Sequence, residues 1–173
     1  MGELIFRAAV PADVPQVFEL VLQRIRWMDE QGIQQWNATG YATAYPLPYY
    51  ERIQCEGVLH VLVDGDEVLC AAALREQDAW WDDNAPAVYV HNFVSKRGTG
   101  AGTIMLRHAE AYARQRGKAW LRLDSAEDNP RLTAYYEALG FVPVGPCEDG
   151  PYKGVRRQKA LESVPVSEQW ISF

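Results

Sequence analysis

The nineteen residues VYVHNFVSKRGTGAGTIML, Val88–Leu106, change character twice. VYVHNFV is rich in β-branched and aromatic residues and predicts a strand. Glycines then stand at 98, 100 and 102. Ala101, Met105, Ala109 and Tyr112 follow at helical spacing, with Arg107, Glu110 and Arg114 on the wet side. They predict a helix from about Gly100 to Arg116, ended by Gly117. A strand that turns through glycines into a helix points to a sheet with helices packed on it. Glycines there let backbone N–H groups turn inward and approach a ligand closely. The helix start adds unpaired N–H groups and the positive end of its dipole, so the stretch reads either as a phosphate seat or as a tight turn.

The remaining periodicities supply the order of elements. LIFRA is a short strand. In PADVPQVFELVLQRIRWMDEQG, the residues Val14, Val17, Phe18, Val21, Leu22 and Ile25 share one helical face, and Gly32 stops the helix. IQQWNATGYATAYPLP is turn-rich and aromatic and carries no periodic signal, whereas YYERIQCEG suggests a short second helix. VLHVLVDGDEVLCAAALRE reads as two strands around Asp64-Gly65, and AWWDDNAPA as the loop before the central strand. After the glycine-led helix come the strand AWLRLD and the helix NPRLTAYYEALG, with Asn129 as cap, Pro130 in its first turn and Gly140 as its stop. Its apolar side carries Leu132, Tyr135, Tyr136 and Leu139. FVPVGP and YKGVRRQKAL are the last strands. The order β-α-α-β-β-β-α-β-α-β-β makes the chain an α/β or α+β protein with a mixed sheet. A single domain over 1–162 is expected, followed by a C-terminal tail at 163–173 that is either a homodimer contact or a frayed end.

The formal net charge of −6 argues against a nucleic-acid partner, which would select a basic stripe. No apolar run approaches membrane-spanning length, and MGELIFRAAV lacks a basic-then-apolar signal pattern, so no membrane partner and a cytoplasmic location are expected. Cys55, Cys70 and Cys147 are odd in number and widely spaced, which offers neither a disulfide framework nor a metal site. Buried, reduced thiols and no metal are expected.

Which phosphate ligand would the glycines take? A P-loop needs a lysine after its last glycine, and Gly102 is followed by Thr103 and Ile104. The dinucleotide fingerprint G-x-G-x-x-G is not matched by the G-x-G-x-G of 98–102, although Asp124 at a later strand end keeps that reading open. Arg97–Gly102, RGTGAG, resembles the R/Q-x-x-G-x-G/A pyrophosphate loop of the GNAT superfamily of acyl-CoA-dependent N-acetyltransferases. DNPRLTAYYEALGFVPVG resembles that superfamily's later helix and strand, where an Asn opens the helix and Y-E-x-x-G-F closes it. The resemblance spans residues 4–161 in element order and is sharp within 88–145.

The resemblance implies an acyl-CoA N-acyltransferase-like fold, a mixed, mostly antiparallel twisted sheet flanked by helices. It also implies acetyl-CoA as co-substrate and a small-molecule amine, or an amino-acid-like amine, as the acceptor that attacks it directly in a ternary complex. Residue by residue, it places the coenzyme pyrophosphate on Arg97, Gly98, Thr99, Gly100, Gly102 and Thr103. Phe93, Val94 and Asn129 would hold the pantetheine arm, and Tyr136 would be the general acid, with Tyr135 as the fallback. Two departures stand out: the loop is shorter than in many relatives, and the strand lacks the proline often found near Ser95, which leaves Arg97 free to face solvent instead. Asn129 is equally well explained as a helix cap, and Tyr136 as a core residue.

The acceptor pocket is expected from the first third, with Trp27, Trp36 and Tyr45 as walls and Asp29 or Glu30 drawing the amine. Ordinary helix-end packing accounts for the same residues. Attack on a thioester builds an oxyanion that a fixed backbone N–H stabilises. The leaving thiolate, with a pKa near ~8.5 by analogy with cysteine, takes a proton from a phenol. His60, His91 and Asp124 are the candidates for the amine's proton. No cysteine lies in an activating context, so an acetyl-cysteine route is not expected. The alternative is a non-catalytic acyl-CoA-binding or sensor module on the same fold, which would keep the loop and have no use for Tyr136.

Overall fold

A computed structural model describes residues 2–162 of the chain; the 163–173 tail, with its expected dimer contact, lies outside the described residues. The elements are β1 (Leu4–Ala8), α1 (Val14–Gln31), α2 (Tyr41–Ala44), α3 (Leu47–Cys55), β2 (Leu59–Asp64), β3 (Glu67–Arg75), β4 (Ala87–Ser95), α4 (Ala101–Gln115), β5 (Trp120–Ala126), α5 (Pro130–Ala138), β6 (Val142–Asp149) and β7 (Tyr152–Ala160). They reproduce the expected order, with one α-helical addition and a 3₁₀ turn at Pro11–Asp13 that leads into α1. The single turn α2 falls where no periodicity predicts structure, because Trp36 stacks on Tyr41 at 4.1 Å and Tyr45 tilts against it at 4.8 Å. Tertiary stacking, not local propensity, makes that turn.

The seven strands form one sheet in the order β1-β2-β3-β4-β5-β7-β6, antiparallel throughout except between β4 and β5. Helices α1 and α3 cover one face, over Val61, Ala71 and Ala73. Helices α4 and α5 cover the other, over Leu62, Cys70 and Ala72. β3 is buried on both faces and therefore reads as an almost unbroken apolar run. Two surface expectations fail. Glu110, placed on the wet side of α4, is only 12% exposed at its side chain, because Lys159 of β7 crosses over to it at 2.6 Å. Cys70 is buried as expected, but Cys55 is exposed and Cys147 half-buried.

The feature that creates a site is a defect in β4. Ala73 pairs with His91 and Ala71 with Val94, so Asn92 and Phe93 together oppose Ala72 in a bulge. Asn92 takes a left-handed φ of 51°, a conformation asparagine tolerates better than most residues. On its other edge β4 meets β5 only from Ala87↔Trp120 to Tyr89↔Arg122. Beyond that, β5 continues along β7 as far as Ala126↔Gly154. The two strands part, and a cleft opens between them.

Candidate active site

At one end of the cleft lies the glycine turn. Gly98 and Gly100 both adopt left-handed φ, 76° and 70°, which side chains resist. Thr99 braces the turn: its hydroxyl donates to the Lys96 carbonyl at 2.7 Å and accepts from the Ala101 amide at 3.3 Å. Among the described residues, the amides of Gly98, Gly100, Gly102 and Thr103 find no acceptor within the chain. They form a group of donors at a helix N-terminus, which suits an anion. A Cβ on Gly102 would lie 3.3 Å from Phe93 and Ser95 and 3.4 Å from the Tyr135 hydroxyl, so glycine lets these groups close over the helix start. Tyr135 in turn shares a 3.0 Å hydrogen bond with Thr103.

Arg97 lies on the face of Trp27, 4.0 Å from the ring centroid, and Arg24 approaches the same ring at 5.4 Å while donating to the Ser95 carbonyl at 2.7 Å. Trp27, expected as an acceptor wall, therefore stands with the glycine turn. Arg24 was not singled out by sequence. It brings a second guanidinium to that end.

The cleft measures about 990 Å³ and runs from the glycine turn to the β6–β7 hairpin. It gathers Trp27, Trp36, Tyr45, Phe93, Val94, Arg97, Gly98, Gly100, Gly102, Thr103, Asn129 and Tyr136; Thr99, spent on bracing the turn, does not line it. The Asn129 Oδ1 accepts from the Leu132 amide at 3.1 Å, so this residue does cap α5, and its Nδ2 is not used by the cap. Tyr136 is 6% exposed. Burial, with Tyr135 and Asp124 nearby, pushes its phenol well above the usual tyrosine range and keeps the proton on oxygen. Burial also raises Tyr135, against the opposing hydrogen bond from Thr103.

The far end of the cleft is made of polar side chains. The His91 Nε2 lies 2.7 Å from Asp78 Oδ2, and Asp78 Oδ1 accepts from the Trp80 amide at 2.8 Å. Burial pushes the Asp78 carboxyl up, but the bonds from His91 and Trp80 outweigh it and hold the group below its ordinary value. Asp124 behaves oppositely. Burial raises it, and the 2.6 Å bond donated by the Tyr152 hydroxyl only partly offsets that. Tyr152 reaches Asp124 across Gly154, where an added Cβ would come within 2.7 Å of the Tyr152 Cζ. The aromatic wall is tied to the bulge, since Tyr49 donates to Asn92 Oδ1 at 2.7 Å and Asn92 Nδ2 donates to Tyr41 at 2.8 Å.

Three expectations change here. His60 sits outside the cleft, stacked 5.5 Å from Phe6 and bonded through Nδ1 to the Val58 carbonyl, so it is removed from the candidates for the amine's proton. Asp29 binds Asn37 at 2.7 Å, and neither it nor Glu30 lines the cleft. Asp78 and Tyr152, which sequence reasoning missed, stand at the acceptor end instead. The one sequence sign of them was Gly154, a glycine inside a strand pattern, which marks close approach. Among the described residues, no three His, Cys, Asp or Glu are placed to hold a metal ion, and no helix is long and apolar enough to cross a membrane.

Comparison with known proteins gives a consistent picture. The sequence model of the acetyltransferase (GNAT) family matches residues 20–141. The chain is 24% identical over 152 residues to the uncharacterized N-acetyltransferase YesJ of Bacillus subtilis, covering 82% of this chain and 83% of that protein. A GNAT-family acetyltransferase from Listeria monocytogenes superposes with a TM-score of 0.74 at 24% identity, over 92% of this chain and 96% of that one. YncA of Salmonella typhimurium, solved with its cofactor acetyl-CoA, superposes with a TM-score of 0.64 at 20% identity, over 95% and 98% of the two chains.

Proposed function

This chain belongs to the acetyltransferase (GNAT) family, and from that premise we propose that it transfers the acetyl group of acetyl-CoA to a primary amine of a small-molecule or amino-acid-like acceptor. The observation that carries this reading is the glycine turn, with its amides without acceptors at the mouth of a cleft whose β4 edge is unpaired beyond Tyr89. The existence of a similar fold solved with acetyl-CoA supports it.

Acetyl-CoA brings an activated acyl thioester. In our reading the turn from Arg97 to Thr103 takes the pyrophosphate, and Arg97, laid on Trp27, adds a cation to that end. The free edge of β4 at Phe93 and Val94, with the Asn129 amide, lines the pantetheine arm, and a β4 amide stabilises negative charge on the reacting carbonyl oxygen. Tyr136 holds its proton at neutral pH, the state a donor to sulfur must be in. Trp36 and Tyr45 wall the acceptor side, and attack is direct.

Thermal denaturation with acetyl-CoA, CoA, NADH and ATP at matched concentrations tests the coenzyme. A ligand at 100 times its dissociation constant stabilises by about 2.7 kcal/mol, so acetyl-CoA and CoA should each give a clear shift. No shift with either, or one only with NADH or ATP, refutes the reading. Tyr136→Phe should then lower kcat by about 10²–10⁴-fold while keeping the acetyl-CoA shift. Unchanged turnover would take the acid role from Tyr136.

A further inference from the structure

The β4–β5 pairing ends at Tyr89↔Arg122, and two residues further along each strand stand His91 and Asp124. Strand alternation puts them on the same sheet face as Tyr89 and Arg122, whose side chains do meet there at 3.2 Å. His91 and Asp124 therefore face one another across the opening, and both line the cleft.

Each is held from behind by a second side chain. Asp78 fixes His91, and the loop bearing Asp78 is anchored by the buried Arg122, which grips Asp83 through both Nη atoms at 2.7 and 2.9 Å. Tyr152 fixes Asp124 over Gly154. With Nε2 directed at Asp78, a neutral His91 ring carries its lone pair on Nδ1, the tautomer a proton acceptor needs. Asp124 carries the more telling anomaly. It is a largely buried carboxylate whose hydrogen-bond partner is a neutral phenol, and among the described residues no Lys, Arg or His nitrogen lies within ion-pair distance of it. Buried carboxylates are ordinarily matched by a cation.

Of the other lining cations, Arg24 and Arg97 sit at the glycine turn, Lys96 pairs with Glu67, Arg75 is drawn to Glu56 at 3.6 Å, and Arg131 stands in the first turn of α5 beside Asn129. A carboxylate entering beside Asp124 would meet like charge.

Resting on the acetyltransferase reading above, we propose that the acceptor enters as an ammonium that pairs with Asp124 and yields its proton to His91, and that it carries no carboxylate beside the amine. The proton leaves nitrogen for His91 Nδ1, and the freed lone pair forms the bond to the acyl carbon as the carbon–sulfur bond breaks onto sulfur. Sulfur takes the Tyr136 proton, and the second nitrogen proton restores Tyr136. The products are the amide, the thiol and one proton passed from His91 to water.

The probes are 2-phenylethylamine and phenylalanine, which differ only by a carboxylate, with thiol release as the readout. The wild type should acetylate 2-phenylethylamine with a kcat/KM at least about tenfold above that for phenylalanine. Asp124→Asn keeps the size of the side chain and an acceptor for Tyr152; it should raise the amine KM about tenfold or more with little change in the acetyl-CoA shift. Tyr152→Phe, acting through Asp124, should raise the same KM and add nothing on top of Asp124→Asn. His91→Ala should lower kcat about 10²-fold or more and regain part of it with free imidazole, which a purely structural loss would not. Equal or better use of phenylalanine, no transfer to 2-phenylethylamine by a wild type that binds acetyl-CoA, an unchanged KM in Asp124→Asn, or wild-type turnover in His91→Ala would each overturn the proposal. Failure of the wild type to bind acetyl-CoA would bring down the acetyltransferase reading itself.

Discussion

At the glycine turn the cleft is walled by main chain: free amides, two left-handed glycines and one threonine brace, all within Lys96–Thr103. At the far end it is walled by side chains drawn from four places, namely the loop at Asp78, β4 at His91, β5 at Asp124 and β7 at Tyr152. A main-chain site depends on a few neighbouring φ values and is indifferent to most surrounding side chains. A side-chain site depends on distant segments arriving together, so it can be retuned, or lost, by a change far along the chain.

The contrast is open to attack from either side. The largest effect should come from replacing both turn glycines, Gly98→Val with Gly100→Val. Non-glycine residues held in such φ regions cost of order 1–3 kcal/mol each, so acetyl-CoA affinity measured by titration calorimetry should fall roughly hundredfold or more. Retention of wild-type affinity would show that the turn's conformation does not make the site. A smaller effect should follow Gly154→Ala. The new methyl collides with the Tyr152 ring and pushes the phenol off Asp124, so the amine KM should rise about tenfold while the acetyl-CoA shift is unchanged. Equal damage to coenzyme binding would dissolve the distinction between the two ends.

The smallest effect concerns stability. Burial raises the Asp124 carboxyl above its ordinary value near 3.8, so the folded protein holds that proton longer than the unfolded chain. Its favourable contribution is complete below the ordinary value and is lost as pH rises through the raised one. Asp124→Asn should therefore gain in Tm relative to the wild type between acidic and neutral pH, by a few degrees at most. A relative loss over that interval would mean that Asp124 has a charged partner in the folded state.

The same contrast explains what could be read from the residues alone. Gly98, Gly100, the Asn129 cap and Pro130 act within a turn of their own position, so the glycine loop and the ends of α5 were legible. Hydrophobic period placed β3 and α1 correctly because burial there follows directly from spacing. Asp78 with His91 and Asp124 with Tyr152 are pairings across 13 and 28 residues, fixed by where the β3–β4 loop and the start of β7 come to lie, which no local pattern encodes. The bulge was invisible for the same reason. VYVHNFV looks like an uninterrupted strand, and only its pairing with β3 shows that Asn92 is supernumerary.

The parting of β4 from β5 also bears on how this molecule avoids sticking to others. Unpaired strand edges are templates on which foreign chains add and aggregates grow. The rim strand β6 carries Pro143 and Pro146, residues that cannot donate to a newcomer, whereas β4 from Val90 to Ser95 has no such guard. Its bare edge lies inside the sheet, flanked by β5, where another sheet cannot dock flush against it. The protein can thus keep hungry backbone groups on permanent offer to a slender guest without advertising them to its neighbours.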